Sequence, residues 1–152
     1  NPPKSPIMKL DRAARRCALQ AMYQFDADPD SDQGVVESTL EGSGADEAAR
    51  SAGFSLANLA WEFRDENDPE IERCSPEWPI RRQPMVDRNL LRLACYEFTR
   101  GGTPPKVAIN EAIELAREFG GEKSPGFVNA VLDDILKART SASSTTEEGE
   151  PS

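Results

Sequence analysis

The feature that most constrains this chain is a helical apolar period that runs from Val86 to Leu136, interrupted only by paired glycines and prolines. Val86, Leu90, Leu93, Ala94 and Glu97 share one flank of a helix, with Leu91, Cys95 and Phe98 beside them. An apolar stripe this broad marks a helix buried on most sides, a central element of a bundle. Gly101-Gly102 and Thr103-Pro104-Pro105 follow it, a glycine C-cap and then a proline in the next first turn. The next helix, Pro105 to Phe119, carries Ala108, Ile109, Ala112, Ile113, Leu115, Ala116 and Phe119 inward. Asn110 and Glu111 flank Ile109 and read as structural hydrogen-bonding residues, with a ligand role as the alternative. Gly120-Gly121 ends that helix, and Ser124-Pro125 opens a last one with Val128, Val131, Leu132, Ile135 and Leu136 as its stripe. Alternating β-branched runs are absent, so the fold class is all-α.

The N-terminal half is less regular. A first helix spans about Leu10 to Phe25, with Leu10, Ala14, Cys17, Ala18, Ala21 and Phe25 on one side and Arg12, Arg15 and Arg16 on the other. Val35, Val36 and Leu40 suggest a short second helix, broken at Gly42-Ser43-Gly44. A third is expected from Ser55 as N-cap through Phe63. Asp68-Pro69 reads as cap and first-turn proline of a fourth. Trp78, between Pro76 and Pro79, reads as a buried plug rather than a stacking platform.

At 152 residues a single domain is expected over 8–138, with polar tails at 1–7 and 139–152 expected to be disordered. No apolar run approaches a membrane span and no signal peptide is evident, so a soluble, cytoplasmic protein is expected. Cys17, Cys74 and Cys95 form no CxxC pair and read as reduced, packed thiols. The chain has no histidine, which removes the commonest general base and metal ligand. No cofactor, no metal and no enzymatic activity are expected.

The net charge of −9 disfavours bulk attraction to nucleic acid, but its distribution is uneven. Lys9, Arg12, Arg15 and Arg16 face one acid, Asp11, between Met8 and Phe25, whereas Asp26 to Glu47 holds eight acids and no base. Tyr23 returns to within about 20° of Arg12 on the first helix. Guanidinium groups pair with phosphates and an aromatic face stacks an unpaired base, so this face suits single-stranded RNA. The competing reading is a solvated surface helix whose Leu19 and Tyr23 pack on a neighbour. Arg88 and Arg92, at i and i+4, form an exposed ridge. Phe127, in the first turn of the last helix beside Lys123, either meets a base and its phosphate or closes the bundle.

Three blocks carry a family resemblance. Arg15-Arg16-Cys17-Ala18-Leu19-Gln20-Ala21-Met22-Tyr23 is similar to an arginine-rich first helix, and Val86-Asp87-Arg88-Asn89-Leu90-Leu91-Arg92-Leu93-Ala94-Cys95-Tyr96-Glu97-Phe98 to a central helix. Pro104 to Leu132, with its KVAINEAIELAREFGGEKSPGFVNAVL core, completes the set. Together they resemble the NusB family of RNA-binding transcription antitermination factors. The resemblance implies an N-terminal three-helix bundle packed on a C-terminal helical subdomain. It implies binding of boxA RNA from ribosomal RNA operon leaders together with NusE, a small-subunit ribosomal protein, in an RNA polymerase antitermination complex with other Nus factors. It also assigns the RNA-binding arginines to Arg12, Arg15 and Arg16, the base-stacking aromatic to Phe127, and the ridge toward RNA and NusE to Asp87, Arg88 and Arg92.

The chain departs from the family pattern in three places. Asp11 and Ala13 stand where basic residues are frequent, Lys123 where an acid is frequent, and the acidic middle is shorter than usual. Leu19 on the basic face leaves a homodimer open. The alternative functions are the NusB-like N-terminal domain of a ribosomal RNA methyltransferase and a protein-only helical adaptor. No nucleotide-binding βα unit follows the helices, which disfavours the methyltransferase.

Overall fold

The computed structural model describes residues 10–149. Among them are α1 (Arg12–Ala27), α2 (Gln33–Glu41), α3 (Glu47–Glu62), α4 (Arg64–Arg73), α5 (Met85–Thr99), α6 (Pro105–Phe119) and α7 (Ser124–Gly149), with a 3-10 turn at Ile80–Arg82 and no strand. The chain divides into two compact units, one ending at Arg64 and the other beginning at Asp65. The expectation for residues 1–7 lies outside the described residues. No helix among those described is long and apolar enough to cross a membrane.

In the first unit each helix starts on an aspartate. The carboxylates of Asp11, Asp32 and Asp46 accept from the backbone N–H of Ala14 (2.9 Å), Gly34 (2.7 Å) and Ala49 (2.8 Å). Each of these bonds satisfies a donor that a helix N-terminus otherwise leaves open. The acidic segment is thus partly helix-start chemistry, which its composition alone did not reveal. Asp46 also corrects the expected start of α3: the helix opens at Glu47, and Ser55 lies in its interior.

Gly53 lies within α3, which packs along α1. A Cβ there would fall 2.5 Å from the Ala14 carbonyl oxygen and from Cys17 Cβ. Glycine costs about 1 kcal/mol of helix propensity, and the close backbone approach it permits offsets that loss. Met22, Val36, Leu40 and Leu56 fill the interior. At one end Phe25 meets the Trp61 ring at 5.8 Å between centroids. Arg64 lies 3.9 Å over the indole and donates to the Trp61 carbonyl.

In the second unit α5 is central, packed against both α6 and α7, with Leu90, Leu91, Leu93, Ala94 and Cys95 buried. Its C-terminus closes as the glycines anticipate. The N–H groups of Arg100 and Gly101 both donate to the Tyr96 carbonyl at 2.9 Å, and Thr103 N–H to that of Glu97 at 3.0 Å. Gly102 takes φ +79°, a left-handed conformation that favours glycine. Glu97, read from the pattern as part of the apolar flank, is buried and accepts from the Thr103 hydroxyl at 2.8 Å.

Two further expectations are corrected here. Pro69 does not open α4 but lies inside a helix that starts at Arg64, and the carboxylate of Asp68, the expected cap, turns to Arg92 instead. Phe119 is 47% exposed, because it occupies the last residue of α6, where the stripe has run past its neighbours. The helical backbone of α7 continues to Gly149. No glycine or proline stands between Gly126 and Gly149 to stop it.

Candidate nucleic-acid interface

The expected site residues are distributed over both units. On the first unit, Asp11 caps α1 and so fixes where the helix starts. Arg12 and Arg16, one turn apart, are exposed, and Tyr23 is 43% exposed two turns further on. Arg15 does not join them. It is 4% exposed and its Nη1 donates to the Leu10 carbonyl at 2.7 Å, so the guanidinium folds back over the start of its own helix. Leu19 is buried as well, which corrects its expected place on the basic surface and removes the apolar spot offered to a homodimer. Lys9 lies outside the described residues.

On the second unit the expected ridge of α5 is corrected. Asp87 is 1% exposed, and its carboxylate accepts from the Ser124 hydroxyl at 2.7 Å. Burial pushes its proton affinity above the ordinary aspartate value, and the Ser124 hydrogen bond partly opposes that. Arg92 is 7% exposed, with Nε and Nη2 each 3.0 Å from one oxygen of Asp68 and Nη1 bonded to Asn89. This is the fork geometry in which a guanidinium grips a carboxylate. Helical spacing did place Arg88 and Arg92 on one side of α5. It could not show that Asp68 of α4 stands against that side and takes Arg92 inward. Arg88 is half-buried, and its Nη1 donates to the carbonyls of Ile80 (3.3 Å) and Arg81 (3.4 Å).

Around the start of α7 the surface is open again. Lys123 is exposed and Phe127 half-buried in the first turn of the helix. The ring of Phe127 meets Trp78 edge to face, with centroids 4.8 Å apart and planes at 66°. Trp78 is not the buried plug expected from its flanking prolines: it is 36% exposed. Arg81 and Arg82 of the 3-10 turn are exposed three and four residues beyond it. Arg81 and Arg82 carry no expectation from the sequence, and two arginines beside a proline-flanked tryptophan were the available signal.

Nothing among the described residues gathers into a metal site. Cys17 and Cys95 are buried, Cys74 half-buried, and all three are free. Burial raises the pKa of each thiol, which keeps them protonated and unreactive.

Taken together these features define a class: an all-helical protein of two units with arginine, lysine and aromatic side chains displayed on helix surfaces. The NusB family model matches residues 12–137, and the chain belongs to the NusB family. The chain is 42% identical to the transcription antitermination protein NusB of Solibacter usitatus, over 86% of this chain and 90% of that one. Among solved structures, NusB of T. maritima matches with a TM-score of 0.71 and 35% identity, covering 86% of this chain and 93% of that one. A crystal structure of antitermination factors NusB and NusE in complex with dsRNA matches with a TM-score of 0.72 and 27% identity, over 84% and 96% of the respective chains. The relatives are named for antitermination rather than for a catalysed reaction.

Proposed function

We propose that the protein is a transcription antitermination factor. In this reading it binds boxA-type single-stranded RNA of ribosomal RNA operon leaders together with NusE, in a cytoplasmic RNA polymerase complex with other Nus factors. The observation that carries the reading is likeness over 84% of the chain to a NusB that was crystallised with both NusE and RNA. Relatives spanned over about nine-tenths of their own length are named as antitermination proteins, which favours this reading over a methyltransferase domain.

Preference for a single strand rests on the aromatic side chains. Bases within a duplex stack on one another, so a protein ring finds an open face only on an unpaired base. Exposed Tyr23 on the first unit and half-buried Phe127 on the second are the rings this reading assigns to such bases. Arg12, Arg16, Lys123 and half-buried Arg88 supply the phosphate contacts. With −9 overall, these local cations rather than the total charge draw the strand in, so affinity falls as salt rises.

Fluorescence anisotropy with a labelled boxA-like single strand, alone and with NusE at two salt concentrations, tests the proposal. Salt-sensitive binding that NusE tightens is the expected result. Equal affinity for the matching duplex would overturn the single-strand preference. Absence of binding even with NusE would overturn the RNA reading and leave the protein-only adaptor.

A further inference from the structure

We infer that Trp78 is a second base-stacking residue, which holds the nucleotide next to the one on Phe127, with Arg81 and Arg82 serving its phosphate. The inference deepens the RNA reading above and rests on it.

The first ground is the shape of the aromatic pair. At 4.8 Å and 66° the two rings meet edge to face, an arrangement that covers at most one face of one ring. The two rings therefore lie in different planes and do not bury each other's faces on both sides, while Trp78 is more than one-third exposed and Phe127 half-buried. Two inclined platforms in contact suit two consecutive unpaired bases, whose planes separate once the strand leaves a helix.

The second ground is that Trp78 is held from behind while its surface is left open. Its N–H donates to the Ser75 carbonyl at 3.0 Å, and its own carbonyl accepts from Gln83 Nε2 at 2.9 Å. Gln83 is itself 3% exposed and bonded to Ser75. The Ile80 N–H is taken by the carboxylate of Glu72, and the carbonyls of Ile80 and Arg81 by Arg88. Three side chains from neighbouring segments thus fix the backbone from Trp78 to Arg81. A surface tryptophan that is fixed before binding loses little freedom when a base arrives.

The third ground is charge. Arg81, Arg82 and Lys123 are exposed within a few residues of the two rings, against exposed Glu77 and Glu122. The local excess is basic in a chain that is acidic overall. Cations beside stacked aromatics are the combination by which proteins track a single strand.

The test is a scan in which each nucleotide of a boxA-like single strand is made abasic in turn. Affinity is measured with NusE for the unaltered protein, Trp78→Ala and Phe127→Ala, with helicity and melting checked for each. For the unaltered protein two neighbouring positions should each lose roughly 5- to 150-fold. Trp78→Ala should abolish the sensitivity of one position, Phe127→Ala that of the other, and Trp78→Tyr should restore most of the binding. If Trp78→Ala binds as well as the unaltered protein, or binds worse while both positions keep their sensitivity, Trp78 does not stack a base and the inference fails while the RNA reading stands. If the unaltered protein does not bind the strand, both fail together.

Discussion

Ser124 donates its hydroxyl proton to the carboxylate of Asp87, 37 residues earlier in the chain, and accepts on the same oxygen from the backbone N–H of Gly121 at 3.0 Å. One side chain therefore closes the turn before α7 and ties that turn to the middle of the second unit. Asp87 is buried and its pKa is raised, mainly by desolvation. The folded state then holds the proton more firmly than the unfolded chain, so the stability this group contributes is greatest at low pH and is lost as pH rises toward and through the folded value. Asp87→Asn, which keeps an acceptor for Ser124, should gain stability relative to the unaltered protein as pH rises from the ordinary aspartate range, by at most about 1.4 kcal/mol per pH unit. Urea denaturation of the two proteins at several pH values measures this difference, and a difference that stays flat would contradict it.

Arg92 and Asp68 should matter for folding rather than for RNA. Removing one partner from a buried pair costs about 3–5 kcal/mol, and because a quarter of the Asp68 side chain is exposed, Arg92→Ala should cost less, roughly 2–3 kcal/mol. Chemical denaturation gives the value. A variant as stable as the parent but defective in RNA binding would return Arg92 to the interface.

Gly53→Ala should destabilise the first unit although alanine is the better helix former by about 1 kcal/mol. The new methyl would meet the Ala14 carbonyl and Cys17 Cβ at 2.5 Å, and overpacking of this kind typically costs about 1–3 kcal/mol. A rise in melting temperature would mean that α1 and α3 separate easily.

The arginines of α1 should divide by exposure. Arg16→Gln should reduce the slope of log affinity against log salt by about one while leaving the melting temperature unchanged. Arg15→Gln should do the reverse, since its guanidinium is spent on the Leu10 carbonyl. Identical salt slopes for the two variants would refute the division.

Phe127→Ala should weaken single-strand binding by about 1–3 kcal/mol if a base stacks there. Titration with the unaltered strand measures the loss. Unchanged affinity in a folded variant would remove Phe127 from the interface.

The helices of the second unit were legible because burial leaves a periodic trace: α6 runs over the expected Pro105–Phe119 and α7 opens at the expected Ser124. What the period cannot show is who stands opposite. Arg15 and Arg92 are as polar as Arg12 and Arg16, and it takes partners such as the Leu10 carbonyl and Asp68 to show that they are covered. Asp87 failed for the same reason, because its partner Ser124 is distant in sequence. Trp78 failed in the other direction: prolines mark a turn but say nothing about which way its ring faces. The start of α3 was misplaced because Ser55 and Asp46 are both plausible caps, and packing along α1 selects the earlier one.

The capping bond from Asp11 to Ala14 places a limit on how this surface can be retuned. The acid repels phosphate, so a basic replacement looks like the direct way to a tighter complex. That replacement would also release the first turn of α1, at roughly 0.5–2 kcal/mol, and the first turn is what holds Arg12 and Arg16 in register. Gains in attraction at residue 11 are therefore coupled to loss of presentation, and selection or engineering for affinity has more freedom at residue 13, whose alanine caps nothing.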